Sequence, residues 1–153
     1  MFEEVLSFLL LSMKLALALL VFLSMYHTSF GQAGKVSIVV KGINTKKGGL
    51  ITVGIFEKVN FPKTGKHLLG ISKEVKESIM QITFEHVPAG QYAIAVFQDE
   101  DRNKKLKTNF IGYPIEPIGF SNDAKIKFGP PSFDEAKVSV QHEQVLNLFI
   151  QLH

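Results

Sequence analysis

The chain has no cysteine and no tryptophan. Without cysteine it cannot form disulfides, thiolate metal centres or a cysteine nucleophile, and it cannot carry a lipid on an N-terminal cysteine. A small exported domain of this kind has to rely on its apolar core. Long runs of one charge are missing too. Lys46-Lys47 and Lys104-Lys105 are isolated pairs rather than a stripe, so no nucleic acid partner is expected, because that would need a clustered basic face. Catalytic spacings are equally scarce. His67, His86, His142 and His153 are scattered with no ligand-like repeat, and no Gly-x-Ser-x-Gly string surrounds Ser121 or Ser132. The expectation is a non-enzymatic protein.

What is present begins with a leader. From Met13 the chain runs "MKLALALLVFLSMYHTSFGQ". Lys14 supplies a positive start, Leu15 to Met25 an apolar run, and Ser29 and Gly31 small residues at the positions a signal peptidase reads. Residues 1–31 therefore read as a secretory signal peptide with cleavage after Gly31. Glu3 and Glu4 carry the wrong charge for such a start, which favours Met13 as the true first residue. The rival is a retained anchor from Val5 to Met25. It would hold Lys14 near mid-membrane at a cost of about 2.5–3.5 kcal/mol. The mature chain, residues 32–153, is thus expected as one domain, secreted, periplasmic or in the cell envelope, with no stable membrane span. Losing Glu3, Glu4 and Lys14 leaves it with 16 basic and 12 acidic residues, a net charge of +4.

The mature part reads as strands. "KVSIVVKG" puts Val36, Ile38 and Val40 on one face with Ser37 and Lys41 on the other. "NTKKGG" is a turn whose Gly48 and Gly49 can take positive φ, and "LITVGIF" follows, so the two runs suggest a hairpin. Residues 57–78 are Lys-rich and irregular, interrupted by Pro62, Gly65 and Gly70. "IMQITFEHV" alternates, with Met80, Ile82 and Phe84 inward. "QYAIAVFQ" is apolar on both faces, as a central strand would be. Tyr92, just after Gly90, resembles the tyrosine corners of sandwiches. "AKVSVQ" and "VLNLFIQL" close the chain, the latter with Leu146, Leu148, Ile150 and Leu152 on one face. About seven short strands without crossover helices predict an all-β antiparallel sandwich of immunoglobulin-like or transthyretin-like type.

Between Asp99 and about Glu135 lies a long excursion without a clear strand. It holds four of the six prolines and the aromatics Phe110, Tyr113, Phe120, Phe128 and Phe133. Loops of this length in a small domain are usually functional or disordered, and the aromatics favour an ordered one packed on the sandwich.

The strings "AGQYA", "QDEDRN", "TNFIGYP", "EPIGFSN", "FGPPSF" and "DEA" stand here in one order. In that order they resemble domain-of-unknown-function family 2141, a set of small exported bacterial β proteins. The similarity is close over residues 87–140 and looser over the rest of the mature chain. It implies an exported β-sandwich and implies no activity. This chain departs from the family pattern at Gln98, where the family has His, and at Lys104 and Lys107, where it has a turn glycine and an Asp.

Two candidate sites follow. Asp99, Asp101 and Asn103 match the first three ligand positions of a calcium loop, but Lys104 stands where the glycine belongs and Phe110 where a bidentate Glu belongs. The competing interpretation is an Asx turn ending a strand. Calcium is the one cofactor considered, with Glu116 or Asp123 as distant completing ligands. The second candidate is a rim in which Glu116, Ser121 and Asn122 present polar groups beside Tyr113, Phe120 and Phe133. Such a rim suits a glycan or a peptide of an envelope or extracellular partner. Its competitor is architectural, with the prolines stiffening the path and the phenylalanines pinning it. The functional expectation is a binding or envelope-associated module using residues 99–133. The alternatives are a calcium-stabilised structural domain and a hydrolase using loop carboxylates.

Overall fold

Alternation becomes two sheets in the computed structural model, which describes residues 1, 7–10, 13–17 and 33–153. The chain divides into two units, Met1–Phe30 and Gly31–His153. In the first, residues 7–10 and 13–17 are helical. The rest of the apolar leader and the expected cleavage point after Gly31 lie outside the described residues. Among the described residues no helix is long and apolar enough to cross a membrane.

The second unit contains every named strand: β1 (Gly34–Lys41), β2 (Leu50–Phe56), β3 (Leu69–Glu74), β4 (Ile79–Val87), β5 (Gly90–Asp99), β6 (Ile118–Phe120), β7 (Lys137–Val140) and β8 (Val145–Gln151). One sheet has the order β4-β1-β8, the other β3-β2-β5-β6, with β7 also pairing β5. Among the described residues, both apolar clusters are drawn from this unit.

The inward residues of β1 (Val36, Ile38, Val40) and of β2 (Ile51, Val53, Ile55) are all fully buried. Each such side chain contributes about 1.5–3 kcal/mol on leaving water. They face one another across the sandwich together with Ile82, Ile94, Val96 and Ile150. This corrects the expected β1–β2 hairpin. With two fully apolar faces to bury, the runs sit in opposite sheets, and the turn between them crosses the layer. Gly48 and Gly49 take φ of +63° and +84° in that turn.

Three further corrections concern strands. The sheets are not wholly antiparallel, because β1 and β8 run parallel from Lys35↔Val145 to Lys41↔Gln151. The irregular residues 57–78 contain β3, an edge strand whose side chains are mostly exposed; only Leu69 and Ile71 rest half-buried on the core, too short an alternation to stand out in the sequence. The excursion contains the three-residue β6 and the one-turn helix Phe133–Ala136, which brings the strands to eight. The sandwich itself and the central place of β5 stand as expected. Tyr92 also forms its corner: its hydroxyl donates to the Pro88 carbonyl at 3.1 Å, and burial pushes the phenol above its ordinary pKa.

The excursion folds over the outer face of the second sheet because β5 is apolar there as well. Ala93, Ile118, Phe120, Phe133 and Ala136 form a second cluster, with Phe61, Ala95, Phe97, Leu106 and Ile126 packed on it. Phe61 stands edge-on to Phe120 and Phe133 at 5.9 and 6.2 Å, the geometry aromatic quadrupoles favour.

Candidate functional site

The polar members of the predicted rim serve the backbone. Ser121 is fully buried; its Oγ accepts from Ile94 N at 3.0 Å and donates to the Ala136 carbonyl. It thereby ties β5, the 3-10 turn Ser121–Asp123 and the one-turn helix together. Asn122 takes φ of +58°, and its Nδ2 donates to the Lys137 carbonyl at 2.8 Å. Phe120 and Phe133 are buried in the second cluster. Of the six only Tyr113, 52% exposed, and Asn122 reach the surface.

Glu116 is buried beside the predicted calcium residues. A carboxylate oxygen from each of Asp99, Asp101 and Glu116 lies within 4.8 Å of the others. The oxygens are already engaged, however. Asp99 Oδ1 accepts from Asn103 N at 3.1 Å and Oδ2 from Lys104 N at 2.8 Å. Glu116 Oε1 accepts from Glu100 N at 2.9 Å and Oε2 from Lys107 N at 2.8 Å. Asn103 Oδ1 takes Lys105 N at 2.6 Å, and the Lys107 ammonium stands 3.9 Å from Asp101. Asp123 lies apart, paired with Lys125 at 2.7 Å. Asp101 and Asn103 thus form successive Asx turns after β5, the Asp99 carboxylate gathers the amides four and five residues on, and Glu116 bridges the two ends of the segment.

That bridging fixes the root of a small hairpin. Thr108 and Pro114 pair as an isolated bridge, and Ile115 N donates to the Lys107 carbonyl at 3.0 Å. The hairpin and the segment 126–130 wall a cleft of about 390 Å³ over the second sheet. Ala95, Ile118 and Phe120 line it from the sheet side. Leu106, Ile111, Ile126, Phe128 and Pro130 add apolar wall, while Thr108, Tyr113 and Lys127 bring polar atoms. Most of these residues carry no sequence signal, because a lone Ala or Ile marks a cleft only once the fold brings it to one. The aromatics also divide in a way composition does not reveal. Phe120 and Phe133 pin the excursion, whereas Phe110 and Phe128 project fully into solvent.

The helix Phe133–Ala136 starts with a capping box. Ser132 Oγ accepts from Glu135 N at 3.3 Å, while Glu135 Oε2 accepts from Ser132 N at 2.7 Å. The Ser132 hydroxyl, then its amide, hold the Glu135 carboxyl below its ordinary value. Asp134 is likewise lowered, first by Lys137 and then by Lys58. A depressed folded pKa stabilises above the unfolded value and stops doing so as pH falls through the folded one. Stability is therefore expected to weaken as pH drops below about 4.5, the ordinary value for Glu. Glu135→Gln, which keeps the cap, should flatten that acid limb in urea melts. An unchanged limb would place its source elsewhere.

A family profile described as "Uncharacterized protein conserved in bacteria (DUF2141)" matches residues 38–147. No curated protein and no solved structure matches the chain.

Proposed function

From the premise that this chain belongs to the uncharacterised bacterial family DUF2141, we propose that it is a binding module whose excursion holds an apolar ligand group in the cleft over the second sheet. The leader pattern supports a place outside the cytoplasm, and the absence of catalytic spacings supports a non-enzymatic role. The cleft carries the proposal. Its lining is apolar except for Thr108, Tyr113 and Lys127, and ligand sites commonly combine an apolar wall with a few polar groups that orient the ligand. A glycan fits less well, because sugars need several directed hydrogen bonds. The side chains expected to supply them, Glu116, Ser121 and Asn122, are spent on backbone groups. The hydrolytic alternative has still less behind it, since all four oxygens of the buried Asp99–Glu116 pair accept main-chain N–H groups.

Ala95 supplies the test. It is a small, partly buried residue on the outer face of β5, at the cleft wall. Ala95→Phe should fill the cleft without touching the inter-sheet core. With Gly31–His153, anilinonaphthalene sulfonate fluorescence, competed by long-chain fatty acids, reads occupancy. Wild type should bind the dye in the native state, and Ala95→Phe should weaken it at least about tenfold, roughly 1.4 kcal/mol, with melting unchanged. Dye binding that survives the filled cleft would overturn the proposal.

A further inference from the structure

The hairpin Thr108–Pro114 has a feature that holding a ligand in the cleft does not need: Phe110, at its apex, is no part of the cleft lining and stands in solvent. Asn109 organises that apex. Its Oδ1 accepts from Ile111 N at 3.1 Å and Tyr113 N at 2.9 Å. Its own N donates to the Tyr113 carbonyl at 2.8 Å, and its carbonyl accepts from Gly112 N at 3.0 Å. Gly112 makes the reversal at φ +81°, a conformation that favours glycine. The amides of residues 109, 111, 112 and 113 are therefore all satisfied within the turn.

On this frame Phe110 is 98% and Ile111 72% exposed, with Ile115 at 55%. Phe128, across the cleft, is also fully exposed. Soluble domains seldom gather so many large apolar side chains on one projection without a use for them. The acids of this stretch are all engaged, while two of its lysines are not. Residues 99–128 contain Arg102, Lys104, Lys105, Lys107, Lys125 and Lys127 against Asp99, Glu100, Asp101, Glu116 and Asp123, a net +1. Asp99 and Glu116 are buried on main-chain amides, and Glu100, Asp101 and Asp123 pair with Lys47, Lys107 and Lys125. Arg102, Lys107 and Lys127 have acidic partners at 2.8, 3.9 and 3.5 Å. Lys104 and Lys105 make no ion pair among the described residues.

We infer that this end of the domain docks on an anionic phospholipid surface, with Phe110, Ile111 and Phe128 entering the boundary between headgroups and acyl chains and the surrounding lysines meeting lipid phosphates. Two observations favour lipid over a protein partner. Near the acyl boundary hydrogen-bond partners thin out, so a backbone that approaches it gains from satisfying its own groups, as Asn109 does here for the amides of Ile111, Gly112 and Tyr113. A protein groove would supply such bonds itself. Exposed apolar side chains a few residues from lysines without ion pairs are also a combination that anionic interfaces retain, because burial and charge attraction add.

Co-sedimentation of Gly31–His153 with phosphatidylcholine vesicles, with and without phosphatidylglycerol, tests this. Binding should require phosphatidylglycerol and weaken as salt rises, since screening shortens the reach of the lysines. Phe110→Ser, at a side chain packed on nothing, should reduce partitioning at least about tenfold while leaving dye binding in the cleft intact. Lys104→Gln with Lys105→Gln should reduce it several-fold and diminish the salt dependence. Ala95→Phe should not affect it, so failure of the cleft proposal and failure of this one give different results. No sedimentation with phosphatidylglycerol vesicles, or sedimentation indifferent to Phe110→Ser, would overturn the inference. So would capture of a polypeptide on the same residues with vesicles ignored.

Discussion

Gln98→Leu is expected to lower the unfolding free energy by about 3–5 kcal/mol, because it strands three main-chain groups at once. Gln98 is fully buried. Its Oε1 accepts from Asn44 N at 2.8 Å, and its Nε2 donates to the carbonyls of Asn44 at 2.8 Å and Gly48 at 2.7 Å. These bonds fasten the crossing between β1 and β2 to the end of β5. Leucine fills nearly the same volume, so cavity formation contributes little and the loss isolates the hydrogen bonds. Equilibrium urea unfolding measures it. A loss below about 1 kcal/mol would mean that the crossing finds water instead, and that Gln98 is not the link between layers.

Glu116→Gln is expected to cost about 2–4 kcal/mol, and to cost it locally first. Its two oxygens accept from the amides of Glu100 and Lys107, the two ends of the segment leading from β5 into the hairpin. An amide side chain has one oxygen, so its NH₂ must face a main-chain N–H. Hydrogen exchange at Glu100 and Lys107 should accelerate before the sandwich amides do, and lipid docking should fall as the hairpin loses its root. If those amides stay protected, Glu116 is dispensable to the hairpin. Calcium separates this interpretation from the ion-binding alternative. An ion that selects the native state must raise the melting temperature. Carboxylates already engaged by backbone amides predict no rise at millimolar calcium, and a rise abolished by Asp101→Ala would revive the calcium-stabilised domain.

The sandwich was legible wherever one face of a strand is buried and the other is not. Ile38 and Ile82 announce themselves by their neighbours, and the doubly apolar β5 announces its central place. Legibility failed for two physical reasons. β3 half-buries only Leu69 and Ile71 before its polar end, so Leu69–Glu74 looks like loop. Pairing between distant runs leaves no local trace, so the parallel partnership of β1 with β8 and the separation of β1 from β2 were invisible. At the site, Asp99, Asp101 and Asn103 were recognised as special because short oxygen-bearing side chains at alternate positions have few uses. Whether they serve an ion or the chain depended on Glu116, whose approach the spacing does not disclose. The phenylalanines were least readable, since Phe110 outside and Phe120 inside are the same residue until the backbone aims them.

The parallel ladder from Lys35↔Val145 to Lys41↔Gln151 makes one of the first strands of this domain wait for the last. Until residue 151 emerges during synthesis, β1 has only β4 beside it, and its other rim of N–H and C=O groups stands open. A domain arranged this way cannot close that rim before β8 is made, and it is exposed to edge-to-edge sticking should β8 be clipped.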